Sequence, residues 1–116
     1  KKLLCIGTST GGAGTSTPPD ITAPFLSNIT ATSTTATTTQ ITWLTNELST
    51  SRVWYATSSP VTTARPLFRV VSSNLVLSHI LNLSDLIAST TYRYIVSSSD
   101  VAGNTATSSE NSFLTL

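Results

Sequence analysis

Charge is what this chain has least of. Only 9% of its 116 residues are Asp, Glu, Lys or Arg, against about 25% in an ordinary soluble domain. Six bases and five acids leave a net charge of +1, which speaks against a nucleic-acid partner, since that needs a basic face. Cysteine is nearly missing too: Cys5 alone cannot close an internal disulfide. Long apolar runs are absent. No window approaches the roughly 20 apolar residues of a membrane helix, so no membrane span is expected. The apolar run Leu3-Leu4-Cys5-Ile6 falls far short of the about 7–15 residues in the apolar stretch of a signal peptide, and we read it as part of the mature chain. His79 is the only histidine. The five carboxylates are scattered and the one thiol lies near the start, so no triad, acid–base pair or metal cluster is spelled out. The expectation is a non-enzyme with no catalytic, cofactor-binding or metal-binding residues.

What the chain has instead is hydroxyl. About 42 residues are Ser or Thr, and Thr favours strands while Ser favours turns. Such a surface is polar without charge, the character of a secreted or cell-surface protein. Hydrophobic residues make up 39%, enough for a core and too many for a disordered chain. The length allows one domain.

Two parts are legible. Residues 1–19 hold a short apolar strand, 1–7, and a Gly/Ser/Thr run, 8–19, closed by Pro18-Pro19. About 12 extended residues reach on the order of 40 Å. Residues 20–116 alternate with a period of two. Phe25, Ile29 and Ala31 indicate a first strand broken at Ser27-Asn28. Further strands follow at 34–45, 52–57, 67–72, 75–83, 92–98 and roughly 105–116, with turn residues at Asn46-Glu47, Ser58-Ser59-Pro60, Ser73-Asn74 and Ala102-Gly103-Asn104. Seven short strands without helical periodicity predict an all-β, antiparallel sandwich.

Ile41-Thr42-Trp43-Leu44-Thr45-Asn46-Glu47, followed by Ser51-Arg52-Val53-Trp54-Tyr55, resembles the B and C strands of bacterial fibronectin type III domains. The stretch from Ser78 to Leu86, followed by Thr90-Thr91-Tyr92, is similar to the E strand and tyrosine corner. Asp100-Val101-Ala102-Gly103-Asn104-Thr105 resembles the F–G turn of secreted members. The resemblance covers about residues 21–116 and implies a seven-strand sandwich with Trp43 at its centre, packed by Tyr55, Tyr94, Val96, Leu81 and Leu83. It implies that the Tyr92 hydroxyl returns to backbone near Leu86, and that His79 is an ordinary strand residue. Ile87-Ala88-Ser89 stands where the family often has Pro-Gly. The sandwich hosts many roles, so the resemblance does not choose a function.

Other constellations have plain structural readings. Asp100 and Asn104 flank a Gly turn, and side-chain-to-backbone bonding explains them more simply than calcium, which takes six to eight ligands. Asn28-Ile29-Thr30 and Asn82-Leu83-Ser84 fit the N-glycosylation pattern, which arises often by chance in a Ser/Thr-rich chain. Trp54 is more informative. With Val53 and Tyr55 facing inward, alternation sends Trp54 outward, and Arg93 and Ile95 with it, to form a candidate interaction face.

Leu3, Leu4, Cys5 and Ile6 would be apolar on both faces of a strand, a pattern suited to a strand buried on both sides. Such a strand fits addition to another subunit's sheet, and an open head-to-tail contact makes a filament. The leading expectation is therefore an extracellular structural subunit that self-assembles head to tail, like a pilus, through its N-terminal strand. The alternative is a spacer or binding module of a secreted adhesin or carbohydrate-active enzyme, in which Trp54 touches sugar.

Overall fold

The computed structural model describes residues 19–59, 61 and 68–116. Leu3, Leu4, Cys5 and Ile6, and the linker at 8–18, lie outside the described residues. The rest is all-β: β1 (Leu26–Thr32), β2 (Thr39–Ala56), β3 (Phe68–Leu83), β4 (Thr91–Ser99), β5 (Thr105–Thr107) and β6 (Asn111–Leu114). Every pairing is antiparallel.

The frame is a long ribbon. β2 has 18 residues and β3 has 16, and they pair from Thr39↔Leu83 to Tyr55↔Phe68. The register slips between Leu44 and Ser51, opposite Ser72–Ser78. There the ribbon bends double. The first half of β2 carries β1 on its other side, and the second half carries β4, which in turn pairs with β5 and β6. The outcome is one curled antiparallel sheet whose two halves face each other across the core.

Six strands are seen among the described residues where seven were expected. Asn46-Glu47 and Ser73-Asn74 do not reverse the chain. They are the bend itself, so the strands expected at 34–45 and 52–57 fuse into β2, and those at 67–72 and 75–83 into β3. The expected last strand splits instead. Ser108 steps out of the ladder, its N–H bonding the Val96 carbonyl (2.8 Å) and its hydroxyl accepting from the Val96 N–H (3.0 Å). The break expected at Ser27-Asn28 is a bulge: Asn28 has φ 53° and the β1–β2 register shifts there. Asn tolerates that left-handed conformation.

The core contains the expected set. Ile41, Trp43, Val53, Tyr55, Leu81, Leu83, Leu86, Tyr92, Tyr94, Val96 and Phe113 form one cluster. It draws on both halves of β2, which requires the curl. The Tyr92 hydroxyl accepts from the Ile87 N–H at 2.9 Å, the corner expected beside Leu86. Burying aromatic rings of this size gives the largest apolar contribution to stability, and the bond spares Tyr92 an unpaired hydroxyl.

Candidate functional site

Trp54 and Ile95 do not form an exposed face. Trp54 is 6% exposed and Ile95 7%. Alternation does place them on the outer side of the sheet, where Trp54 pairs with Arg69 on β3 and Ile95 on β4. Sequence reasoning missed what lies over them. After Ala56 the chain turns back across β4. The Ser59 hydroxyl (2.8 Å) and the Val61 N–H (2.9 Å) both bond the Glu110 carboxylate, on the far side of β4. The Arg52 guanidinium sits 5.5 Å above the Trp54 ring, a cation–π contact. Arg93 stays exposed, 4.0 Å from Glu110. The bond from Val61, with those from Ser59 and the nearby Arg93 charge, holds the Glu110 carboxyl below the usual range.

The bend holds a buried polar network. The His79 ring stacks on Trp43, 4.9 Å between centroids and 3° from parallel. Nδ1 lies 2.7 Å from Ser51 Oγ, and Nε2 lies 2.8 Å from Thr45 Oγ1. Thr45 gives its only proton to the Glu47 carbonyl (2.8 Å), so Nε2 carries hydrogen and donates to Thr45, while Nδ1 accepts from Ser51. Trp43 Nε1 donates to Ser98 across the core (2.9 Å). Burial lowers the His79 pKa, which keeps the ring neutral. His79 on β3 is sealed inside the fold, where its bonds to Thr45 and Ser51 tie the two arms of β2 together.

Three carboxylates that are remote in sequence converge beside the bend. Oxygens of Asp20, Glu47 and Asp100 lie within 4.8 Å of one another. Glu47 is brought in by the bulge of β2, and Asp100 by its bridge to Ser49. Asn104 holds the group together: its N–H donates to Asp100 Oδ1 (2.8 Å), and its amide nitrogen to Asp100 Oδ2 (3.0 Å) and to the Asp20 carbonyl (2.8 Å). Burial together with the charges of Asp20 and Asp100 raises the Glu47 pKa. Burial pushes the Asp100 carboxyl upward as well, but hydrogen bonds from Asn104 and the Ala102 backbone hold it down, and the net shift is downward. Oxygen clusters of this kind suit hard cations, yet three side chains fall short of the six to eight ligands calcium takes. The separations of 27 and 53 residues left no local signal for this group.

The sheet edges differ sharply. Among the described residues β3 pairs only with β2, and no described strand covers its other edge. Residues 68–83 contain one formal charge, Arg69, and no proline. They expose Phe68, Val71, Leu75, Leu77 and Ile80. The outer side of the first half also carries a shallow hollow of about 380 Å³, lined by Asn28, Thr30, Thr42, Leu44 and Ile80 among others.

No protein-family model and no curated protein matches this chain. Among solved structures it is similar to the sensor domain of the anti-sigma factor RsgI4 in Pseudobacteroides cellulosolvens. That likeness has a TM-score of 0.53 at 18% identity, and covers 84% of this chain and 98% of the sensor domain. At such identity it shows a shared all-β fold and nothing of function.

Proposed function

We propose that this chain is an extracellular, non-catalytic interaction module that joins copies of itself by strand addition. In this reading the sheet has the fibronectin type III arrangement. β1 and the facing parts of β2 and β3 correspond to strands A, B and E, and the remainder to C, C′, F and G. The observation that carries the functional reading is the open, apolar, almost uncharged edge of β3. Natural edge strands are commonly guarded by charge, proline or bulges, and an edge left unguarded is what strand addition uses. The hydroxyl-rich, weakly charged composition supports a location outside the cell. Leu3–Ile6 supplies an apolar strand, and residues 8–19 span the joint. Deleting residues 1–19 should abolish assembly in sedimentation and electron microscopy while leaving a folded monomer. Filaments that persist after the deletion would rule the reading out.

A second reading is a ligand-binding sensor or spacer module. Its support is the likeness to the RsgI4 sensor domain and the hollow at Thr30, Thr42 and Ile80. A full-length chain that stays monomeric at high concentration would favour it.

A further inference from the structure

We propose that the edge receiving Leu3–Ile6 of a second copy is β3, paired antiparallel over Ser78–Leu81. This inference rests on the strand-addition reading above and names the acceptor that reading leaves open.

The open edges can be ranked by how each is guarded. β1 has 7 residues and is interrupted by the bulge at Asn28. β5 and β6 have 3 and 4 residues and are separated by Ser108–Glu110, which places a carboxylate beside the gap. A bulge, short strands and a charge are each a means of blocking edge pairing. β3 is irregular where the ribbon bends, between Ser72 and Val76, but Val76–Leu83 carries no bulge, proline or formal charge. An incoming strand finds its longest uninterrupted row of backbone donors and acceptors there.

Side chains match as well. Leu77 (50% exposed) is in phase with His79, toward the inside of the curl, and Ile80 (58% exposed) points to the outside. This edge is thus apolar on both of its faces. A partner strand must be apolar on both faces too, as Leu3, Leu4, Cys5 and Ile6 are. Charge sets the direction. Antiparallel pairing of Leu3–Ile6 with Ser78–Leu81 sets the chain's only lysines, Lys2 and Lys1, opposite Asn82 and Leu83, the latter two residues from the exposed Asp85 that follows β3. The parallel orientation would leave both lysines beside the apolar Leu75–Leu77. The joint is also within reach. Asn104 holds the chain at the Asp20 carbonyl, and the 12 residues of 8–19 extend on the order of 40 Å.

Cys5 is the only thiol, so it reports its own neighbour. Second cysteines are placed singly on the three edges by Leu77→Cys on β3, on the same face as Cys5 in this register, Thr30→Cys on β1 and Ser112→Cys on β6. Each variant is made as two full-length versions of different mass, mixed, mildly oxidised, and the disulfides are mapped by mass spectrometry. Cys5 should link between copies to the β3 position with about tenfold greater yield than to the β1 or β6 positions, because docking raises the local thiol concentration. A preference for the β1 or β6 position overturns the choice of β3 while leaving strand addition standing. Links found only within one chain overturn the second copy as donor. A chain that sediments as a monomer and gives no site-selective link overturns this proposal together with the reading it rests on. Leu77→Lys and Ile80→Lys, both exposed on β3, give an independent check: assembly should weaken while the monomer's unfolding midpoint holds.

Discussion

His79 holds the bend through three contacts, the stack on Trp43, the Nε2–H bond to Thr45 and the Nδ1 bond from Ser51, and the last requires a neutral ring. Burial lowers its pKa in the folded chain. An unfolded His binds its proton near pH 6.5, so below that pH the unfolded state holds more protons than the folded one. Stability is then fully present above about pH 6.5 and falls as pH drops from there toward the lower, folded value. His79→Leu should remove this part of the pH dependence. At pH 7.5 it should also cost about 1–3 kcal/mol, because the buried Ser51 and Thr45 hydroxyls lose a partner. Urea unfolding of both proteins at pH 7.5 and 5.5 checks this. The gap between them should narrow at the lower pH, and a constant gap would exclude His79 as the titrating group.

Strands were legible in the sequence wherever alternation persisted; their ends were not. Trp43, Tyr55, Tyr94 and Val96 are expected in the core from the family resemblance, in agreement with the period of two, and all are buried. Asn46-Glu47 and Ser73-Asn74 have the composition of turns, yet opposing residues on β2 and β3 let both strands bend together without breaking. Local composition cannot tell a corner in a ribbon from a reversal of the chain. Trp54 and Ile95 were placed on the correct side of the sheet. Their burial was not foreseen: Arg52 lies over Trp54, and Ser59 and Val61 bond Glu110 across 51 and 49 residues, contacts that no strand pattern encodes. The β3–β4 connection shows the converse, a departure in sequence with a local consequence. Ser89 has φ 51°, the left-handed region, and its N–H bonds the Leu116 carbonyl at 2.8 Å. A non-glycine residue in that conformation costs about 1–2 kcal/mol, partly offset by the about 0.5–1 kcal/mol of extra entropy glycine loses on folding. Ser89→Gly should therefore stabilise the domain by roughly 0.5–1 kcal/mol, a rise of about 2–6 °C in the calorimetric midpoint. An unchanged or lower midpoint would mean that the Ser89 side chain offsets the strain.

Across the whole molecule, ties remote in sequence join the two halves: Trp43 to Ser98, 55 residues apart, and Ser51 to His79, 28 apart. Neither half can bury its apolar face without the other, so the domain should unfold as one cooperative unit. The carboxylate trio is the third such junction, linking the entry at Asp20, the bend at Glu47 and the β4–β5 turn at Asp100. Its sign is opposite to that of His79. The Glu47 pKa is raised by burial and by its acidic neighbours, so the folded chain holds this proton more tightly than the unfolded one. At neutral pH the ionised Glu47 destabilises the junction, and stability returns as pH falls through the raised pKa. Glu47→Gln keeps the shape and removes the charge. Because Asp100 is held down by bonds from Asn104, it stays ionised and able to accept from the new amide. The variant should therefore unfold at a higher temperature than the parent at pH 7. The advantage should shrink as pH is lowered into the carboxylate range, where the parent's own Glu47 becomes protonated. Calorimetry of both proteins from pH 7 to 3.5 decides the matter: an advantage that is absent at pH 7, or that grows toward acid, would mean the three carboxylates do not repel one another in the folded chain.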